Sequence, residues 1–294
     1  TTTGSSAPSA PVAANTPTAA VQAYFDALAA NNASGVLALA YDDSYADPTF
    51  FTSEVMTAAS AAAPISGLSL SETPVSNYSA RVTATYTIGG VSARSEFSVG
   101  KRDDVWLLMR PAASVYVSEI NDSLLGVTIN GVTVPDDDDS VNLLPGGYTL
   151  ATTSKVFTFK DTSFTVKSPD ATVTPKFDLA LTDDGLDSYR KAVKSLVNSC
   201  KKPKGLVDSK CGLNLRAPSG VTIKASNMSC SPSSTAALDR LKPDRVTLDS
   251  VRADTKITFT CYATGSNGAR YKATNSLYSV TGVYTGSGWD VSST

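Results

Sequence analysis

The chain has 294 residues, 41% hydrophobic and 18% charged, with 25 basic against 27 acidic side chains and no histidine. That composition belongs to a folded protein with room for two or three cores rather than to a disordered segment. No apolar run approaches the ~20 residues that span a bilayer, and the lack of histidine removes the usual general base near neutral pH, the usual triad orienter and the commonest transition-metal ligand.

Residues 1–16, TTTGSSAPSAPVAANT, are uncharged and rich in Ser, Thr, Pro and Ala, and read as a flexible stalk. The chain does not start with Met, which points to a trimmed start, and a stalk at the N-terminal edge of a region without a membrane span leads us to expect a membrane helix or lipid anchor upstream of Thr1. Thr16-Pro17 then starts a helix, with a capping hydroxyl and Pro at the first helical position. Val21, Tyr24, Phe25 and Leu28 give it one apolar face. Asn31-Asn32 breaks it, a short second helix carries Val36, Leu37, Leu39 and Ala40, and Asp47-Pro48 opens a third through Phe50, Phe51, Val55 and Met56 to about Ala62. Beyond Pro64 the period changes to that of strands, at Leu68–Leu70, Ala80–Ile88, Val91–Val99 and Val105–Met109.

In the next stretch, LLGVTINGVTVPDDDDSVNLLPGGYTL (124–150), Asn130-Gly131 between apolar alternations predicts a hairpin, because both residues tolerate positive φ. Pro145-Gly146-Gly147 predicts a tight turn on the same chemistry. Asp136 to Asp139 are contiguous, whereas calcium loops alternate ligands with spacers, so the run reads as a solvated acidic loop, with weak cation binding as the alternative. Further strands are expected at Val156–Phe159, Phe164–Val166 and Thr172–Leu181. Thr182 then caps a helix with Leu186, Tyr189, Val193, Leu196, Val197 and Cys200 on one face, and strands follow near 213–216, 221–226, 245–251, 256–263, 269–280 and 289–291.

The order of helices before strands over 17–112, with the phrase AAVQAYFDALAANN…VLALAY, resembles the nuclear-transport-factor-2-like (cystatin-like) domains. That resemblance implies helices over a curved sheet and a cone-shaped pocket, for which Tyr41, Tyr45, Phe50, Tyr86 and Trp106 are the candidate lining. The phrase ING…LLPGGYTL resembles the small PEGA-like β-modules of bacterial envelope proteins. LTDDGLDSYRKAVKSLVNSC…C resembles a segment found in extracytoplasmic parts of actinobacterial membrane proteins. The expected fold class is therefore α+β. It comprises a cystatin-like domain over 17–112, a small all-β connector over 113–181, and a disulfide-bonded α+β domain over 182–294. The last reads as a degenerate copy of the first, because RVTATYTIGGVSARSEFSV…DDVWLL and KITFTCYATGSNGARYKATNSLYSV…GSGWDV share one strand–hairpin–strand–Trp order.

All four cysteines, Cys200, Cys211, Cys230 and Cys261, lie in the last third, with no C-x-x-C pair or His to complete a zinc site. Two disulfides in an oxidising compartment follow. Three pairings are open, of which Cys200–Cys211 and Cys230–Cys261 are favoured. No metal, cofactor or catalytic residue is expected. Ser195 directly follows Lys194 without an S-x-x-K motif, Gly100-Lys101 lacks the rest of a P-loop, and Asp42, Asp43 and Asp47 read as an acidic loop. Charge is unevenly placed. Residues 1–80 hold six acidic residues and no Lys or Arg, whereas 187–216 hold eight basic residues against two aspartates. Lys194, Lys201, Lys202, Lys204 and Lys210 are the candidate patch for an anionic polymer or lipid surface, with nucleic acid disfavoured because aromatics are not interleaved. The leading expectation is a non-catalytic, monomeric, extracytoplasmic region that binds an envelope protein or polymer. The alternatives are a carrier or sensor of a small apolar ligand and a hydrolase that works without histidine.

Overall fold

The computed structural model describes residues 14–42, 49–136 and 138–294. The chain opens with α1 (Pro17–Ala29), α2 (Ala33–Leu37) and α3 (Ser53–Ala62). Strands β1 (Ile65–Ser76), β2 (Ser79–Ile88), β3 (Val91–Arg102) and β4 (Val105–Leu108) follow. Then come β5 (Ala113–Tyr116), β6 (Val127–Ile129), β7 (Val132–Thr133), β8 (Ser140–Leu143), β9 (Gly146–Thr152), β10 (Phe157–Phe159), β11 (Ser163–Val166), β12 (Thr172–Val173) and β13 (Leu179–Leu181). Helix α4 (Asp183–Ser199) leads into β14 (Val207–Asp208), β15 (Leu213–Asn214), β16 (Ile223–Pro232), β17 (Arg245–Val246), β18 (Val251–Gly265), β19 (Arg270–Tyr284) and β20 (Trp289–Ser293). The chain is α+β and mostly sheet.

Contacts divide it into two compact units, residues 1–153 with 161–178 and residues 154–160 with 179–294. The segment 113–181, expected as a connector of its own, is shared between them. Each share has a packing reason. β9 lies close under α3, and Phe157 of β10 has its ring 5.9 Å from that of Tyr284 and 6.2 Å from that of Trp289.

In the first unit α1 begins where the sequence places it, with Thr16 accepting from the Ala19 amide. Ala14, within the expected stalk, is buried, and its carbonyl accepts from the Trp106 amide; residues 1–13 lie outside the described residues. Asn31 ends α1 in the left-handed region and Asn32 caps α2. Helix α3 starts later than expected. Thr52 caps it through the Val55 amide, and Phe50 and Phe51 precede it as buried residues outside any helix. The sheet is an antiparallel meander, β1-β2-β3-β4. Along β2 the alternation Ala80, Val82, Ala84, Tyr86, Ile88 turns inward, where Phe25 meets Tyr86 and Phe97 edge-on at 5.0 and 5.7 Å between centroids.

The remaining strands of this unit form two small sheets, β11-β9-β6-β7 and β12-β5-β8. The β6–β7 hairpin turns on Asn130 (φ 47°) and Gly131 (φ 81°), as the sequence predicts. Pro145-Gly146-Gly147 behaves otherwise. Gly146 and Gly147 belong to β9 and pair with Val166 and Thr165, neither has positive φ, and β8 does not pair with β9. Their need for glycine comes from α3. A Cβ at Gly146 would stand 2.7 Å from the Ala59 Cβ, and one at Gly147 2.7 Å from the Ala62 Cβ. The expected single strand Thr172–Leu181 is two, β12 paired parallel to β5 and β13 paired with β10.

In the second unit Thr182 caps α4 by accepting from the Gly185 amide. Tyr189, Val193, Leu196 and Val197 are its buried face, and the Tyr189 hydroxyl bonds the carbonyls of Val251 and Val280. The sheet is again an antiparallel meander, β16-β18-β19-β20, with β17 added to β18. Both units thus place a helix before a meander whose last strand carries a tryptophan, Trp106 or Trp289. The favoured disulfides form, Cys200–Cys211 and Cys230–Cys261. The second joins register partners on β16 and β18. Closing separations of 11 and 31 residues, they remove unfolded-state entropy worth roughly 3 and 4 kcal/mol.

Candidate functional site

The basic residues singled out in the sequence gather at the end of α4 and in the loop after it. Cys200 ends the helix, and its bond to Cys211 closes the loop 201–210. Backbone contacts pin that loop. The Lys201 carbonyl accepts from the Cys230 amide at 2.9 Å, and the Asp208 carboxylate accepts from the amides of Lys204 and Cys211. The five lysines then divide. Lys194 is bound to Asp239, and its charge and hydrogen bond hold that carboxyl below its usual range. Lys210 is bound to Asp290 at 2.9 Å. Lys201, Lys202 and Lys204 are exposed, and no described carboxylate lies within 4.0 Å of their ammonium groups.

A second cationic site escaped the sequence reading. A short 3₁₀ turn, Ala236–Arg240, packs beside the irregular part of β18, where the register with β19 shifts between Asp254 and Ile257. A bulge re-aims side chains locally. Between them lies an open groove of about 410 Å³ lined by Arg240, Lys242, Thr255 and Lys256 over Leu238, Leu241 and Ile257. Its one lining acid, Asp254, sits 3.6 Å from Arg252, while Arg240, Lys242 and Lys256 are exposed without a carboxylate partner among the described residues. In the sequence these cations are scattered through LDRLKPDRVTLDSVRADTK, where acids of similar number mask them. Only the fold brings them together.

The near-neutral total conceals a separation by unit. The first unit holds eighteen carboxylates against seven cations, a net of −11, and the second holds nine against eighteen, a net of +9.

Among the described residues, the expected pocket aromatics do not line an open chamber. Tyr86 is buried, shares a 2.7 Å hydrogen bond with Ser95 and donates to the Lys167 carbonyl. Trp106 and Phe50 are buried. Tyr41 is half-buried, with the Arg102 guanidinium over its ring at 5.6 Å. Tyr45 lies outside the described residues, as do Asp43 and Asp47. The crevice in this unit, between Leu28, Met56, Ala59 and Tyr148, measures about 30 Å³, room for one water. A larger cavity of about 110 Å³ lies in the second unit, against Leu206, Leu215, Met228, Ala263 and Tyr271.

Chemistry at the remaining candidates is limited by their partners. Ser195 is exposed on α4 beside a lysine already bound to Asp239, and Lys101 is bound to Asp104 at 2.9 Å across the β3–β4 turn. Among the described residues no three of His, Cys, Asp and Glu converge as metal ligands, and no helix is long and apolar enough to cross a membrane. No family model matches the chain, and no curated protein or solved structure does either.

Proposed function

We propose that this chain is a non-catalytic, extracytoplasmic binding region of a cell-envelope protein, and that its second unit engages an anionic lipid or polymer surface. Three lysines without a carboxylate partner among the described residues, on a disulfide-pinned loop within a unit of net charge +9, carry this reading. A loop fixed at both ends loses little further freedom when its ammonium groups meet a surface, and each lysine near an anionic bilayer contributes about 1 kcal/mol. The two disulfides are compatible with an oxidising compartment. Within this reading the first unit is a cystatin-like arm, the small sheets at 113–181 a PEGA-like element, and residues 1–16 the lead from a membrane anchor.

The test is co-sedimentation with vesicles of phosphatidylcholine alone or mixed with phosphatidylglycerol. Wild-type protein should bind only the mixed vesicles, and K201E/K202E/K204E should weaken that binding by at least roughly 100-fold, because about 1 kcal/mol is lost per lysine and reversal adds repulsion. Unchanged binding by the triple variant would sink the assignment to this loop.

A further inference from the structure

The acidic loop before β8 and the cationic groove beside β18 are complementary, and neither has a partner of opposite charge among the described residues. The loop is held by its backbone. The Asn121 side-chain amide donates to the carbonyls of Pro135, Asp136 and Asp138, at 2.6, 3.3 and 2.9 Å, and the Asp139 carbonyl accepts from the amides of Val117 and Ser118. The carboxylates of Asp136, Asp138 and Asp139 take part in none of these bonds, and no described Lys or Arg nitrogen lies within 4.0 Å of them. The described carboxylates therefore stand on backbone held by Asn121, Val117 and Ser118 and form a knob of negative charge. Opposite in sign stands the groove of Arg240, Lys242 and Lys256 over Leu238, Leu241 and Ile257, whose one lining acid, Asp254, pairs with Arg252.

We infer that the groove is a docking site for Asp136, Asp138 and Asp139 of a second copy of this chain. Charge complementarity argues for this occupant. The knob belongs to a unit of net −11 and the groove to one of net +9, so the long-range field favours approach of unlike units as well as the local fit. Knob and groove are different surfaces, so the contact is heterologous. It yields a series of oligomers, or a ring where the rotation closes, instead of a two-fold dimer. Its strength is electrostatic and falls with salt.

Sedimentation velocity on the full chain tests this at about 20 mM salt, where charges are screened over ~20 Å, and at about 300 mM, where they are screened over ~6 Å. The weight-average mass should rise with protein concentration at low salt and return to that of the monomer at high salt. The variants D136K/D138K/D139K and R240E/K242E/K256E should each stay monomeric at low salt. Mixed in equal amounts they should associate again, because the basic knob of one fits the acidic groove of the other. That rescue also shows that both variants are folded. A wild type monomeric at every concentration, association that survives either variant, or a mixture that stays monomeric would each overturn the proposal. The knob variant leaves the second unit unchanged, with Lys201, Lys202 and Lys204 in place, so vesicle binding by it separates this outcome from a failure of the proposed surface binding.

Discussion

Four tyrosines tie this fold to the neutral form of their phenols. Tyr24 is buried with its hydroxyl donating to the Pro111 carbonyl, Tyr148 donates to the Leu144 carbonyl, and Tyr189 bonds Val251 and Val280. Burial is the largest cause raising the pKa of each of these and of Tyr86. A phenol whose folded pKa exceeds its unfolded value near 10 holds its proton more tightly in the native state. Its contribution is fully present below pH 10 and is lost as the pH rises through the folded value. Stability should therefore be flat with respect to these groups up to about pH 10 and fall steeply above it. Absorbance should show these four phenols forming tyrosinate together with unfolding, and their ionisation near pH 10 in the native protein would contradict the burial.

At the scale of elements, the first turn of α4 sets helix propensity against packing. Replacing an interior helical glycine with alanine ordinarily stabilises by about 1 kcal/mol. At Gly185 a Cβ would stand 2.1 Å from the Val156 carbonyl oxygen, and backbone cannot swing aside as a side-chain tip does. Gly185→Ala should thus destabilise by about 1–3 kcal/mol in urea unfolding, the cost of overpacking, and a gain would mean that Val156 yields to the added methyl. The helix itself is legible in the sequence, because a capping threonine and an apolar stripe are local signals. So is the hairpin at Asn130-Gly131, where both residues sit at positive φ. The disulfides are half-legible, since spacing suggests a short loop at Cys200–Cys211, while Cys230–Cys261 depends on the β16–β18 register. Gly146 and Gly147 were not legible. In sequence, a glycine needed for a turn and one needed beneath a helix look alike. Helix α3 starts later than Asp47-Pro48 suggests because Thr52 supplies the capping oxygen that the Val55 amide uses.

For the whole molecule, the informative number is the separation of charge between the units rather than the total. Of the candidate sites, only the lysine-rich end of α4 was visible in the chain order. The groove needed the bulge in β18 to bring Lys256 to Arg240 and Lys242. A net charge of −2 would suggest indifference to salt, but each unit folds against its own excess, −11 or +9. Like charge within a compact body opposes folding, and added salt screens it. Favourable pairs do little to reverse that sign. Six ion pairs join described residues, each has at least one member more than half exposed, and exposed pairs contribute about 0–1 kcal/mol. Raising salt from about 10 to about 150 mM shortens the screening length from ~30 to ~8 Å, and so removes more repulsion than attraction in both units. The melting temperature, measured calorimetrically at a dilution where the chain is monomeric, should therefore rise with salt, by about 2–4 °C for each ~1 kcal/mol of repulsion removed. A fall would mean that attractions between opposite charges outweigh the excess within each unit, and the two charge totals would then be poor guides to where this protein meets its partners.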